Sequence, residues 1–192
     1  MSAVRILALS GSLQKDSFNQ RLLDLAVQIA RSAGADVTSV HLAELDLPLY
    51  SQDVETRAFP ENARRLKALF CSHEGFLIAS PEHNGSVTTA LKNAIDWVSR
   101  PTDDETALAL SAFRGKTAGL MSASPSPFGG MRSIVHLRQI LSTLQTLVVP
   151  EQVCVTFAHS AFDDSGLRDG IVSDLLPVLV HRVVRQCRAG LQ

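Results

Sequence analysis

Five consecutive apolar residues, Gly75-Phe76-Leu77-Ile78-Ala79, give way at once to a polar run, Ser80-Pro81-Glu82-His83-Asn84-Gly85-Ser86. An apolar run this short, without polar alternation, fits a strand covered on both faces, as strands inside parallel sheets are. Residues 88–99 then read as a helix, closed by Arg100-Pro101. Strand, polar loop and helix in that order place the loop at the C-terminal edge of a parallel sheet, where open α/β folds bind ligands.

The same unit recurs along the chain. Residues 4–9 read as a central strand stopped by Gly11, followed by a helix over 19–33 with Leu22, Leu25, Ala26, Ile29 and Ala33 on one face. Gly34 ends that helix, and 37–42 reads as the second strand. Residues 45–56 read as a loop. Pro60 and Glu61 suit the first turn of a helix with Ala63, Leu66, Leu69 and Phe70 inside. A polar, acidic connection over 101–114 leads to a fourth strand at 116–121. A helix over 131–145 and a fifth strand at 153–157 follow. The end, 167–189, has a helical pattern with a kink expected at Pro177. Five strands alternating with five helices predict an α/β, doubly wound parallel sheet with right-handed crossovers and helices on both faces. The expected organisation is a single domain over residues 1–192, without internal repeats.

Composition excludes several function classes. The 192 residues carry a net charge of −1, so there is no basic field for nucleic acid and no polybasic arm for a membrane surface. Aromatic residues are 5% of the chain, too few for a base-stacking platform. No apolar run approaches the roughly 20 residues of a spanning helix, and the N-terminal apolar stretch is too short for a signal peptide. Cys71, Cys154 and Cys187 lie far apart without metal-ligand spacing. They are expected to be small buried hydrophobes in a reducing cytoplasm. His41, His73, His136, His159 and His181 share no metal-binding spacing and read as surface or satisfied core residues. No metal is expected.

Three loops remain as chemistry. The first, Ser10-Gly11-Ser12-Leu13-Gln14-Lys15-Asp16-Ser17-Phe18-Asn19, places hydroxyls around a turn immediately before a helix. Exposed amides and the helix dipole make it an anion site, and a phosphate monoester is the natural guest. It matches neither a P-loop nor a Gly-x-Gly-x-x-Gly fingerprint, and the chain has no Gly-x-Ser-x-Gly elbow. Ser10 and Ser80 stand where a phosphorylated receiver domain would need acids. The second loop can meet a flat ring: Pro81 fixes the chain, Gly85 allows close approach, and Asn84 to Ser86 lead into a helix N-terminus. N–H groups there would stabilise negative charge on a reduced flavin. The third loop, Ser124-Pro125-Ser126-Pro127-Phe128-Gly129-Gly130-Met131-Arg132, can close a pocket. Arg132 either meets an anionic substrate or the phosphate of a nicotinamide nucleotide, or is a solvated helix residue. Taken singly, a Ser-capped helix and an ordinary βα turn account for the first two loops as well.

Together the three loops resemble the NADPH-dependent FMN reductase family of flavodoxin-like proteins, which includes azo-dye, quinone and chromate reductases. The resemblance covers roughly residues 4–157. It is carried by Gly11-Ser12-Leu13 with Ser17-Phe18-Asn19, by Pro81-Glu82 with Asn84 and Leu91-Lys92-Asn93-Ala94-Ile95-Asp96-Trp97, and by Gly129-Gly130 with Arg132 and His136-Leu137-Arg138-Gln139. It implies a sheet of order 2-1-3-4-5 with FMN at the carboxyl edge of strands one, three and four. Ser10, Ser12, Leu13, Ser17, Phe18 and Asn19 would serve the phosphate and ribityl end. Pro81, Glu82, His83, Asn84, Gly85 and Ser86 would serve the ring edge, and Ser124 and Gly129 the third loop. The implied activity is electron transfer from NADPH or NADH through FMN to a small acceptor such as a quinone. The flavin carries the chemistry and no side chain acts as acid or base. The family also implies a homodimer or tetramer, paired through the helices over 88–99 and 131–145. Three residues depart from its pattern: Gln14 stands where Arg is usual, Asp16 where Gly is frequent, and His83 where Tyr is common. Asp16 either caps the approaching helix, pairs with Lys15, or repels phosphate. Two rival readings follow: a non-catalytic electron carrier, and a decayed flavin fold acting as a regulatory protein.

Overall fold

The structure, a computed structural model, describes residues 3–102, 105–106, 108–163, 166–168 and 170–190. Its main elements are β1 (Arg5–Ser10), α1 (Phe18–Ser32), β2 (Asp36–His41), α2 (Gln52–Arg57), α3 (Glu61–Ser72), β3 (Gly75–Ala79) and α4 (Thr89–Val98). They continue with β4 (Thr117–Ala123), α5 (Met131–Thr143), β5 (Leu147–Val155), α6 (Ala158–Ala161), β6 (Phe162–Asp163), β7 (Gly166–Leu167) and α7 (Ile171–Ala189). The five-stranded sheet has the order β2-β1-β3-β4-β5, and every pairing in it is parallel. Its register places Ser10 opposite Ala79 and Ala79 opposite Met121, so the chain leaves β1, β3 and β4 at one edge.

Alternation along the strands sends side chains to two cores. Ile6, Ala8, Leu77, Ala79, Met121 and Val153 pack with α1 and α7. Leu7, Leu9, Phe76, Ile78, Ala118 and Leu120 pack with α3, α4 and α5. Both faces are therefore covered, which is why the strands carry so few polar residues.

The motif from Leu91 to Trp97 turns out to be largely structural. Leu91, Ala94, Ile95 and Trp97 are buried. Asn93 accepts from Tyr50 N at 2.7 Å and donates to Pro48 O at 3.0 Å, and Trp97 Nε1 donates to the same carbonyl at 2.7 Å. These bonds pin the segment before α2 against α4.

Several sequence expectations need correction. The fifth strand runs over Leu147–Val155 rather than 153–157. Pro150, Glu151 and Gln152 interrupt its apolar pattern, and an edge strand tolerates them because one side of its backbone pairs with no neighbour. The expected loop over 45–56 contains most of α2, a single solvent-side turn capped by Ser51 and without a buried residue. The last helix begins at Ile171, not 167: Leu167 pairs with Phe162 in the β6–β7 hairpin. Among the cysteines only Cys187 is buried; Cys71 is exposed and Cys154 half-buried. Cys71 lies off the inner face of α3, whose buried residues are Ala63, Leu66, Lys67 and Phe70. Parts of two expected segments, residues 103–104 and 107 of the acidic connection and residue 169 of the final helix, lie outside the described residues. Among the described residues no helix is long and apolar enough to cross a membrane, and no group of three or more His, Cys, Asp or Glu is placed to hold a metal ion.

Lys67 is a buried cation, 5% exposed, and it donates to Glu105 and to Arg100 O. Burial alone would raise the Glu105 pKa. Hydrogen bonds from Lys67, Ser111 and Thr102, with the Lys67 charge, outweigh it and hold the carboxyl down at about 2. A depressed carboxyl pKa stabilises the fold above the unfolded-state value of about 4.3, and that contribution is lost as pH falls toward the folded value. Glu105→Gln is therefore expected to lower thermal stability at pH 7 and to flatten its dependence on pH between about 4.5 and 2.5. Calorimetry across that window checks this, and parallel curves for parent and variant would contradict it.

Candidate functional site

The first loop leaves β1 under tight local control. Gly11 N donates to Ala79 O at 2.8 Å, fastening the turn to the end of β3. Ser10 Oγ accepts from Ser12 N at 3.2 Å, and Ser12 Oγ accepts from Gln14 N at 3.1 Å. Ser17 is the N-cap of α1, accepting from Asn19 N and Gln20 N. Among the described residues nothing accepts from the backbone N–H groups of Leu13, Lys15, Asp16 and Phe18. These N–H groups, beside a 15-residue helix whose first turn carries no acid, make a cradle of positive potential. Both benign roles considered for Asp16 are absent among the described residues: Ser17 is the cap, and Asp16 and Lys15 form no ion pair.

Two residues of this loop have side chains turned elsewhere. Phe18 stacks on Phe162, centroids 6.0 Å apart, on the α1–α7 side of the sheet. Asn19 is buried, and its amide makes both bonds to one residue beyond β3: Nδ2 to Ala123 O at 2.8 Å, and Ala123 N to Oδ1 at 3.0 Å. Asn19 thus ties the start of α1 to the end of β4, where the third loop begins.

The second loop is a tight reverse turn. His83 and Ser86 exchange backbone hydrogen bonds, both 3.0 Å, around Asn84 (φ 50°) and Gly85 (φ 76°). Two successive residues at positive φ are the Asn-Gly preference of a type I′ turn. The N–H groups of His83 and Ser86 are therefore used internally, while nothing described accepts from those of Glu82, Asn84 and Gly85. The helix starts later than the sequence implied, at Thr89. Thr88 Oγ1 accepts from Leu91 N at 3.2 Å and donates to Gly11 O at 2.6 Å, joining the second loop to the first. Thr88, read from the sequence as the first residue of this helix, is its N-cap, the role a Thr before an apolar helical run signals. His136 on α5, expected to be a surface or satisfied core residue, lies against the second loop. Its Nδ1 lies 2.9 Å from Ser86 Oγ.

The third loop is satisfied partly from within and partly by residues 155–158. Ser124 N donates to Val155 O and Ala158 N to Ser124 O, both at 3.0 Å, while Ser126 N and Phe128 N donate to neighbouring hydroxyls. Gly129 and Gly130 both have positive φ. Arg132 is not simply solvated. Its backbone N and its Nε donate to the Glu82 carboxylate at 3.0 and 2.7 Å, and Nη2 lies 2.5 Å from Oε1. Burial would raise the Glu82 pKa; the Arg132 hydrogen bonds and charge hold it below the ordinary carboxylate range. A clamp between second and third loops results, which sequence spacing alone did not reveal. A cavity of about 560 Å³ between α4 and α5 borders the second loop at Ser86 and Thr88, with His136 of α5 on its other wall.

A five-stranded parallel sheet of order 2-1-3-4-5, with its loops collected at the carboxyl edge, defines a flavodoxin-like protein. The chain belongs to the NADPH-dependent FMN reductase family, whose model matches residues 4–160. An NAD(P)H-dependent FMN reductase from Pseudomonas aeruginosa is 36% identical over 166 residues, covering 85% of this chain and 83% of that protein. A quinone reductase from Pseudomonas putida is 38% identical over 159 residues, covering 81% and 80%. Among solved structures, the flavoenzyme NAD(P)H:(acceptor) oxidoreductase FerB from Paracoccus denitrificans superposes with a TM-score of 0.78 at 26% identity, covering 98% of this chain and 99% of that one.

Gly130 is the position where the site's backbone tolerates least. A Cβ there would lie 1.9 Å from Ser122 Oγ, at φ +80°. Gly115 has nearly the same φ, +75°, with nothing within 4 Å. Gly115→Ala is expected to cost only the left-handed backbone penalty, roughly 1–2 kcal/mol. Gly130→Ala should cost more and should weaken flavin binding, because the third loop must shift. Urea unfolding of the two variants checks the difference, and equal losses would contradict it.

Proposed function

We propose that the chain is an NAD(P)H-dependent FMN oxidoreductase that passes electrons from NADPH or NADH through FMN to a small acceptor such as a quinone. The observation that supports this reading most directly is the row of unpartnered backbone N–H groups at the start of α1, in a chain whose relatives are named FMN and quinone reductases. FMN, when bound, supplies the hydride and electron chemistry. The chain's residues bind, orient and exclude water. The N–H groups of Leu13, Lys15, Asp16 and Phe18, with the hydroxyls of Ser12 and Ser17, would hold the phosphate. Ser10 and Asn19 shape that loop rather than reach from it. Pro81, His83 and Ser86, and the N–H groups of Glu82, Asn84 and Gly85, would border the ring, with Ser124 and Gly129 across from them. The reductase names of the relatives favour an enzyme over a carrier or a regulatory remnant.

The reading extends to a single cytoplasmic domain acting as a homodimer or tetramer. Exposed Leu49, Met131 and Val135 and the 560 Å³ groove between α4 and α5 support pairing through those helices.

Titration by flavin fluorescence quenching tests the site. FMN is expected to bind at micromolar or tighter affinity and FAD more weakly. Ser12→Ala and Ser17→Ala should each weaken FMN more than riboflavin, by the roughly 1.5–3 kcal/mol of a hydrogen bond to a charged group. Equal losses for FMN and riboflavin would place the phosphate elsewhere.

Gln14 and Asp16 lower the positive charge of the first loop. Both are exposed, so their effect is screened over about 10 Å at 0.1 M salt. Asp16→Gly and Gln14→Arg are each expected to tighten FMN, most at low salt. Dissociation constants measured across ionic strength check this, and unchanged values at low salt would remove the electrostatic penalty from the account.

A further inference from the structure

Arg132 occupies an unusual position for an exposed cation. Its partner carboxylate, Glu82, is 7% exposed, while the Arg132 side chain is 54% exposed. A surface ion pair normally contributes little. Here the acid is withdrawn from water, and it takes the backbone N, Nε and Nη2 of Arg132 together. That arrangement fixes the plane of the guanidinium. Because the fork presents five donors, fixing one edge leaves another for a second anion. Nη1 makes no hydrogen bond among the described residues.

Phe128 lies behind it, with the guanidinium carbon 5.0 Å from the ring centroid. The ring is itself 53% exposed, although it sits on a loop held by its own hydrogen bonds. On the remaining side is Gly85, where a Cβ would lie 3.8 Å from Arg132 Cδ and 3.9 Å from Nε. A larger side chain there would cover the guanidinium, and the turn's φ of +76° keeps the position a glycine. The tip between second and third loops thus offers a fixed hydrogen-bonding cation beside an exposed aromatic face.

We infer that Arg132, positioned by Glu82 and backed by Phe128, anchors an anionic oxygen group of a substrate that also carries a flat aromatic ring. The inference rests on the reading of the three loops as a flavin site. Two sources fit the chemistry: an acidic quinone acceptor, or the 2′-phosphate that distinguishes NADPH from NADH. Glu82 is a positioning residue, acting only through Arg132. Because it neutralises the pair at a distance, Arg132 works through short-range hydrogen bonds rather than long-range attraction.

The test uses FMN-loaded protein and ratios of specificity. Acceptors are 1,4-naphthoquinone-2-sulfonate and neutral 2-methyl-1,4-naphthoquinone; donors are NADPH and NADH. Arg132→Gln is expected to lower one ratio, anionic over neutral acceptor or NADPH over NADH, by about tenfold, through KM rather than kcat. Glu82→Gln should lower the same ratio less, and Arg132→Lys should restore part of it. Which ratio falls identifies the source. A merely structural role would depress all substrates alike and leave both ratios unchanged, and that result overturns the inference. Calorimetric titration of oxidised holoprotein with naphthalene-2-sulfonate and with NADP⁺ gives a readout without turnover, and one of the two should bind several-fold more weakly to Arg132→Gln. If the parent protein takes up no FMN by fluorescence quenching, the flavin reading itself fails and the inference falls with it. That outcome is distinct from unchanged ratios in a loaded enzyme.

Discussion

The arrangement of the site depends on one buried side chain. Asn19 sits in the first turn of α1, yet its amide satisfies both backbone groups of Ala123, at the far side of β3. Breaking that pair would leave a buried N–H and a buried carbonyl without partners, at roughly 1–3 kcal/mol for each. The contact fixes where the N-terminus of α1 lies relative to the exit of β4. Thr88 performs the complementary task, joining the N-terminus of α4 to Gly11 O. The Glu82–Arg132 clamp closes the remaining side, between second and third loops. Three loops distant in sequence become one rim because each is bonded to another.

With the loops fixed to one another, hydrogen-bonding capacity is divided unevenly around the rim. The third loop spends most of its capacity on itself and on residues 155–158, and the His83–Ser86 turn closes on itself while leaving the N–H groups of Asn84 and Gly85 unspent. The first loop leaves a row of N–H groups unspent beside a helix N-terminus, where an anion is favoured by dipole and hydrogen bonding together. That asymmetry suits a cofactor with a charged end and a flat end. The charged end needs donors already in place. The flat end needs walls that do not move, and a few N–H groups at its edge.

Much of this was legible in the sequence, for physical reasons. β1 and β3 are covered on both faces, so their uninterrupted apolar runs announced both strand and sheet type. The loop positions followed from where those runs stopped. β5 was misplaced because an edge strand can keep Pro150 and two polar residues that a central strand could not. The resemblance to FMN reductases pointed to the residues of the three loops but not to what each side chain touches. Asn93 and Trp97 brace the segment before α2, Phe18 faces Phe162, and Asn19 reaches across 104 positions to Ala123. Such roles are set by contacts between remote residues, which leave no local pattern. Glu82 and Arg132 are individually ordinary; only the fold makes them a pair.

The central claim is that this rim holds a flavin that a nicotinamide nucleotide can reduce and a small acceptor can reoxidise. Anaerobic stopped-flow absorbance of the FMN-loaded protein tests it most directly. Mixing with NADPH or NADH should bleach the visible absorption of the bound flavin in a saturable phase, and a second mixing with a quinone should restore it. A protein that retains FMN but is bleached by neither nucleotide, or whose bleached form no quinone reoxidises, would contradict the account.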